Sequence, residues 1–140
     1  MRREPDLHLR LTSGPRATAE ARAAVEAYCE RYEFSAEECF DLQLATTEAL
    51  TNALKGTPEP HAVEVIFRGD EQAVEVEVVD RGVFSPLRAT LARSADAEGG
   101  RGIALMLALV DEVAFDRTPQ GTRVRLRKRH RTTPVLRLAG

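Results

Sequence analysis

Short runs in which apolar and polar residues alternate most constrain how this chain can fold. Apolar residues take every second position over residues 61–68 and again over residues 73–79. A period of two places the apolar side chains on one face of a β-strand. The intervening Gly-Asp-Glu-Gln, residues 69–72, is typical of a hairpin loop. The sequence therefore predicts two antiparallel strands with one apolar face and one polar face.

The remaining elements follow from the same periodicity argument. Apolar residues spaced three and four apart predict amphipathic helices, and Ser35 to Glu38 has the Ser-x-x-Glu form of a capping box at a helix start. The predicted strands are 7–11, 61–68, 73–79, 112–117 and 122–128, and the predicted helices are 16–32, 35–55 and 103–110. Residues 84–99 contain Pro and Gly without sustained periodicity and are expected to be irregular.

This order of elements indicates the fold class. Paired strands interrupted by helices favour an α+β sandwich, in which helices cover one face of an antiparallel or mixed sheet. A strictly alternating parallel fold does not fit the order. A chain of 140 residues suits one hydrophobic core and one domain.

Apolar runs and cysteine spacing exclude several classes of protein. The longest apolar run, residues 103–110, is far shorter than the ~20 residues that span a bilayer. No apolar segment follows the arginines at positions 2 and 3, so we expect a cytoplasmic protein without a membrane segment. Cys29 and Cys39 lack metal-binding spacing and are expected to be free thiols.

Charge is distributed unevenly along the chain. Residues 123–140 contain seven Arg or Lys residues and no acid, which leaves 13 basic and 22 acidic residues in the rest. Such a segment could attract nucleic acid. Arg123, Arg125 and Arg127 alternate with apolar residues, however, which favours a strand with one solvated face. We therefore expect no direct contact with nucleic acid, and a basic, flexible tail over residues 130–140.

Glu48 and Asn52 form the first candidate site. They are four residues apart on the second predicted helix, so their side chains lie on the same face, one turn from each other. A carboxylate and an amide oxygen so placed can hold Mg²⁺, or one can orient a hydroxyl while the other binds the metal. An ordinary exposed polar pair would show the same spacing.

Two further segments suggest a nucleotide. Asp80 at a strand end can accept a hydrogen bond from an exocyclic amine, and Gly82 lets a flat ring approach the backbone. Gly100 and Gly102, with Arg101 between them, precede the last predicted helix, where free N–H groups can bind an anion. A simple turn and a flexible loop remain alternatives.

Taken together, these segments match the order and spacing of one known site. Four stretches carry the resemblance: Glu48-Ala-Leu-Thr-Asn52, Asp80-Arg-Gly82, Gly99-Gly-Arg-Gly102 and Gly121-Thr122. They resemble the N box, the two glycine boxes and the closing Gly-Thr of the GHKL ATPases. Within that superfamily the chain resembles the anti-sigma-factor serine/threonine kinases of the RsbW and SpoIIAB type. The resemblance implies a Bergerat-type two-layer sandwich over residues 1–129.

The resemblance also implies roles for individual residues. Glu48 would be the general base toward a substrate hydroxyl, and Asn52 would bind the Mg²⁺ that bridges the phosphates of ATP. Asp80 would accept from the adenine amine, with Gly82 admitting the ring and Thr122 supporting the Asp80 network. A phosphate-side lid would contain three residues in succession: Gly100, Arg101 and Gly102.

The implied function is an ATP-dependent kinase that also sequesters a sigma factor. It would phosphorylate an anti-sigma-factor antagonist of STAS type and act as a homodimer. Two positions depart from the family pattern, because Gly56 replaces a frequent His and Glu98 replaces an Arg found in efficient kinases. The alternative is therefore a regulator of the same fold that binds nucleotide and partner protein but transfers no phosphoryl group.

Overall fold

The computed structural model describes residues 6–12, 15–54, 62–80, 97–118 and 121–130. Every predicted strand and helix is present. Their bounds differ by a few residues at most, apart from the last helix, which begins earlier than predicted. In chain order the elements are β1 (Leu7–Thr12), α1 (Pro15–Arg31), α2 (Ala36–Leu54), β2 (Ala62–Gly69), β3 (Ala73–Asp80), α3 (Ala97–Leu109), β4 (Glu112–Thr118) and β5 (Gly121–Arg129).

The strands form one sheet in the order β1-β2-β3-β5-β4. Every neighbouring pair is antiparallel. The two predicted hairpins, β2–β3 and β4–β5, are both present, and β5 inserts beside β3 to join them into one sheet. The α+β class is thus confirmed, and the sheet, expected to be antiparallel or mixed, is antiparallel throughout the strands that the structure describes.

The inner face of the sheet and the helices share one core. Alternate residues of the central strands are fully buried, as the period of two predicts. Helix α2 contributes the largest set of buried side chains among the helices, and α1 and α3 add residues on its two sides. The central members of this core are Phe67, Val76, Leu126, Val25, Leu42, Leu50 and Met106.

The outer face of the sheet is covered by ion pairs between neighbouring strands. Arg68 and Arg123 approach the carboxylate of Glu77 at 2.9 and 3.5 Å, although Glu77 is only 1% exposed. Arg125 pairs with Glu75 at 3.1 Å. The interpretation of β5 as a strand with one charged face is confirmed. Its arginines face glutamates of the same sheet.

Helix α2 begins with the predicted capping box. The Ser35 amide donates to Glu38 Oε1 at 2.8 Å, and the Glu38 amide donates to Ser35 Oγ at 3.0 Å. His130, the last described residue, packs its ring 4.7 Å from that of Phe34 beside this cap. Residues 131–140 lie outside the described residues, so their flexibility stays a prediction.

Both cysteines are free thiols, as expected. Burial raises the pKa of the Cys29 thiol, and a hydrogen bond to Cys39 raises it further. Cys29 is therefore a protonated packing residue at neutral pH.

Over the described ranges, no helix has the length and apolar character needed to cross a membrane.

Replacing Ser35 tests the start of α2. Ser35→Ala removes the hydroxyl that accepts from the Glu38 amide and should lower the free energy of unfolding by about 1 kcal/mol, whereas Ser35→Gly should lower it by only a few tenths. Urea denaturation measures both variants. An unchanged stability for Ser35→Ala would show that the cap does not stabilise this helix.

Candidate functional site

Glu48 and Asn52 lie on one face of α2, as predicted. Both are half-buried. The Asn52 Nδ2 atom donates to Glu48 Oε1 at 3.4 Å, so the two side chains are directly linked. Because the amide nitrogen faces the carboxylate, the Asn52 oxygen is left to face a cation or another donor.

Helix α3 approaches this pair most closely at Gly102. A Cβ atom on Gly102 would lie 2.8 Å from Glu48 Oε1 and 3.4 Å from Asn52 Nδ2. The first of these distances is shorter than any normal contact, so a side chain at position 102 would displace the carboxylate. Glycine therefore permits the observed place of Glu48. The structure thus joins one residue of the glycine cluster to the two site residues of α2.

The start of α3 corrects one prediction. The glycine cluster was expected to precede a helix that begins at Ile103, but the helix begins at Ala97 and contains the cluster. Glycine disfavours helix by about 1 kcal/mol relative to alanine, which is why the sequence indicated a loop. Packing against α2 at Gly102 supplies the tertiary contact that overrides this preference.

This change alters which amides are available to an anion. The first four N–H groups of a helix, counted from the cap residue, have no intrahelical acceptor, and in α3 these include the amide of Gly99. The Gly102 amide lies within the helical hydrogen-bonding pattern. Arg101 also belongs to α3, but its side chain lies outside what the structure describes.

Asp80 and Thr122 form a second cluster. Asp80 is the last residue of β3, and Thr122, the second residue of β5, is its cross-strand partner. They are 0% and 1% exposed. The Thr122 Oγ1 atom has no hydrogen-bond partner within the described part of the chain. Burial of such polar groups costs free energy unless they are satisfied, which marks this strand end as a candidate binding site.

The other predicted site residue, Gly82, lies outside the described residues, and so does Gly56. The structure therefore brings Glu48, Asn52 and Gly102 together and separately pairs Asp80 with Thr122. No group of three or more His, Cys, Asp or Glu side chains that could hold a metal ion occurs among residues 6–12, 15–54, 62–80, 97–118 and 121–130.

The outer surface of α2 has a concave feature that the sequence motifs did not predict. A shallow cavity of about 80 Å³ is lined by Arg22, Phe40, Gln43, Leu44 and Thr47. Phe40 and Leu44 are one helical turn apart and are 56% and 37% exposed. Their spacing was visible in the sequence, but the sequence did not show that neighbouring helices leave this stripe uncovered.

The chain is similar in sequence to one protein family and to named relatives. Residues 11–128 match the histidine kinase-like ATPase domain family. An anti-sigma F factor of Caldanaerobacter subterraneus subsp. tengcongensis is 27% identical, with 87% of this chain and 92% of that protein covered. The serine-protein kinase RsbW of Bacillus pumilus is 31% identical, with 76% and 75% covered.

The fold is also similar to that of a solved structure. The crystal structure of the RsbU and RsbW domains of a Mycobacterium tuberculosis protein superposes with a TM-score of 0.66 at 21% identity. The match covers 88% of this chain and 31% of that longer chain. At this identity the likeness shows a shared fold.

A double-mutant cycle tests the contact between α3 and α2. Gly102→Ala adds a methyl group 2.8 Å from Glu48 Oε1, whereas in a Glu48→Ala background the same methyl group has room and only improves helix propensity. Gly102→Ala should therefore be more favourable in that background, with a coupling of about 0.5 kcal/mol, because the carboxylate ends a flexible side chain that can move aside. Urea unfolding of the four proteins measures it, and additive effects would contradict the contact.

Proposed function

We propose that this chain, which belongs to the histidine kinase-like ATPase domain family, is an ATP-dependent serine/threonine-protein kinase and anti-sigma factor. It binds a sigma factor and phosphorylates an anti-sigma-factor antagonist of STAS type. It acts in the cytoplasm as a homodimer. The observation that carries the proposal is the close approach of Gly102, from one motif, to Glu48 and Asn52, which both belong to another.

Asp80 and Thr122, at the end of the sheet, suit the base of an adenine nucleotide. A buried carboxylate at Asp80 is suited to accept from an exocyclic amine, and the Thr122 hydroxyl beside it is a buried polar group that needs a partner. An adenine base would donate to Asp80 through its exocyclic amine and, directly or through a water, would give the Thr122 hydroxyl a partner. These two residues fit the base of ATP.

Residues of α2 and the start of α3 suit Mg²⁺ and the phosphates of a nucleotide. Mg²⁺ keeps several waters and takes one or two protein oxygens together with substrate phosphates. The Asn52 oxygen is suited to be such a ligand because Nδ2 faces Glu48. The amide of Gly99, at the positive end of α3, is suited to the phosphates. The residues present therefore fit Mg-ATP.

Lys128 supports the view that the two clusters form one pocket. Its Nζ atom lies 3.4 Å from Asp41 Oδ2 and 2.8 Å from the Leu109 carbonyl oxygen, which joins β5 to one end of both α2 and α3. Along α2, Asn52 lies 11 residues from Asp41, about 16 Å away. Along β5, Thr122 lies six residues from Lys128, about 20 Å away. We infer that both clusters lie at the opposite end of the sandwich.

When bound, ATP would supply the phosphoryl group, and Mg²⁺ would neutralise the negative charge of the phosphates. The residues of this chain act on the other reactant. Asn52 holds Glu48 Oε1 through its amide nitrogen, and Gly102 leaves that carboxylate its space. Glu48 is then placed to accept a hydrogen bond, and the proton, from a serine or threonine hydroxyl. Positioning and proton acceptance are the tasks that such a transfer requires of the protein.

Two variants separate transfer from nucleotide binding. Glu48→Gln keeps the shape of the side chain but removes its basicity, so transfer should fall about 10²–10⁴-fold while nucleotide affinity is retained. Asp80→Asn should instead weaken nucleotide binding. Intact mass of candidate STAS-type antagonists after incubation with Mg-ATP measures transfer, and calorimetry measures nucleotide affinity.

For wild type, we expect one antagonist to gain one phosphoryl group. Transfer by Glu48→Gln at the wild-type rate would contradict the role of Glu48. Tight nucleotide binding by wild type without any phosphorylated protein would contradict the kinase and favour the regulator that binds without transfer.

A further inference from the structure

An uncovered apolar patch lies on the outer face of α2. We define the α2 patch as Phe40 and Leu44, which are 56% and 37% exposed and border the cavity of about 80 Å³. Gln43 and Thr47, on the same helix, add polar groups to the cavity lining. A concave site lined by both apolar and polar groups can receive a side chain of another molecule.

The position of the α2 patch relates it to the candidate active site. Positions 40, 44 and 48 follow one another at intervals of four along α2, so they lie on successive turns. The rise of a helix places Leu44 about 6 Å and Phe40 about 12 Å from Glu48 along the axis. The patch is therefore continuous with the carboxylate that receives the acceptor hydroxyl.

Neighbouring helices border the patch without covering it. On one side, the Gln43 Nε2 atom donates to the Arg22 carbonyl oxygen of α1 at 3.0 Å. On the other side, α3 contacts Glu48 through Gly102. The described residues thus leave an outward-facing stripe between α1 and α3, which ends at Glu48.

We propose that the α2 patch is the docking surface for the phosphoacceptor protein. The acceptor places an aliphatic or aromatic side chain against Phe40 and Leu44, about 6–12 Å from the hydroxyl that it presents to Glu48. In an extended segment this side chain lies two to four residues from the acceptor serine or threonine, at about 3.3 Å per residue. This inference rests on the proposed kinase function and adds where its protein substrate binds.

The size of the patch favours a protein substrate over a second copy of the chain. Slightly more than half of one phenylalanine and about a third of one leucine are exposed, which amounts to ~100–200 Å². A stable dimer buries about 800 Å² on each partner. The patch is therefore too small to hold a dimer by itself, and its size suits a substrate that is also held at the active site and must leave after transfer.

Substitution of the patch gives a direct test. Phe40→Ser and Leu44→Ser should each raise KM for the antagonist that wild type phosphorylates by about tenfold, given the apolar area that each removes. The loss should fall on KM rather than kcat, because the patch binds substrate and transition state alike. Nucleotide affinity, measured by calorimetry, should stay at the wild-type value.

Leu107→Ser is the matched control. Leu107 is 57% exposed, almost the same as Phe40, but it lies on α3 and is not part of the cavity lining. This variant should phosphorylate the antagonist with the wild-type KM. A rise in KM for Leu107→Ser equal to that for Phe40→Ser would overturn the docking surface, as would an unchanged KM in both patch variants.

Failure of the kinase and failure of the docking surface are distinguishable. An antagonist that wild type binds but never phosphorylates contradicts the kinase. The dissociation constant for that antagonist then tests the patch in place of KM, and the patch variants must raise it about tenfold while Leu107→Ser leaves it unchanged. Equal dissociation constants for all four proteins would overturn the docking surface whatever the outcome for transfer.

Discussion

The close approach of α3 to α2 at Gly102 is the contact on which the candidate site depends. A methyl group at that position would lie 2.8 Å from Glu48 Oε1, so the backbone of one helix limits where the carboxylate of the other can lie. The same carboxylate accepts from Asn52. One glycine, one acid and one amide therefore fix each other's positions. A proton acceptor and a metal ligand require this kind of mutual placement.

The sheet places the other half of the site. Its inner face is apolar, and its outer face is covered by arginine–glutamate pairs, so the sheet needs no second layer of helices. The ends of β3 and β5 interrupt the apolar inner face with two buried polar residues, Asp80 and Thr122. The Thr122 hydroxyl has no hydrogen-bond partner within the described ranges, and since such burial costs stability, it is a candidate for contact with a ligand.

Local patterns predicted most of the fold, because the forces that form these elements act locally. The period of two defined the inner face of every central strand, and the reciprocal bonds of Ser35 and Glu38 were readable from their spacing. The pairing of Glu48 with Asn52 also followed from helix geometry. These predictions needed no knowledge of which elements pack together.

Features that depend on packing between elements were not predictable in this way. The glycine cluster was expected to precede a helix that begins at Ile103, whereas the helix begins at Ala97 and packs against α2 at Gly102. Exposure of Phe40 also depends on packing, since the positions of α1 and α3 leave it uncovered. The sequence indicates the local preference of each residue for helix, strand or burial. The start of α3 and the exposure of Phe40 depend instead on contacts with residues that are distant in the chain.

The central claim is that the α2 residues, the start of α3 and the end of the sheet surround one nucleotide. The most direct measurement is the NMR spectrum of the labelled chain with ADP and Mn²⁺, whose unpaired electrons broaden nearby resonances. We predict that the side-chain amide of Asn52 and the backbone amides of Gly99 and Gly100 broaden first, and that the Thr122 amide shifts when ADP binds. Broadening confined to residues remote from Asn52, with no shift at Thr122, would contradict the account.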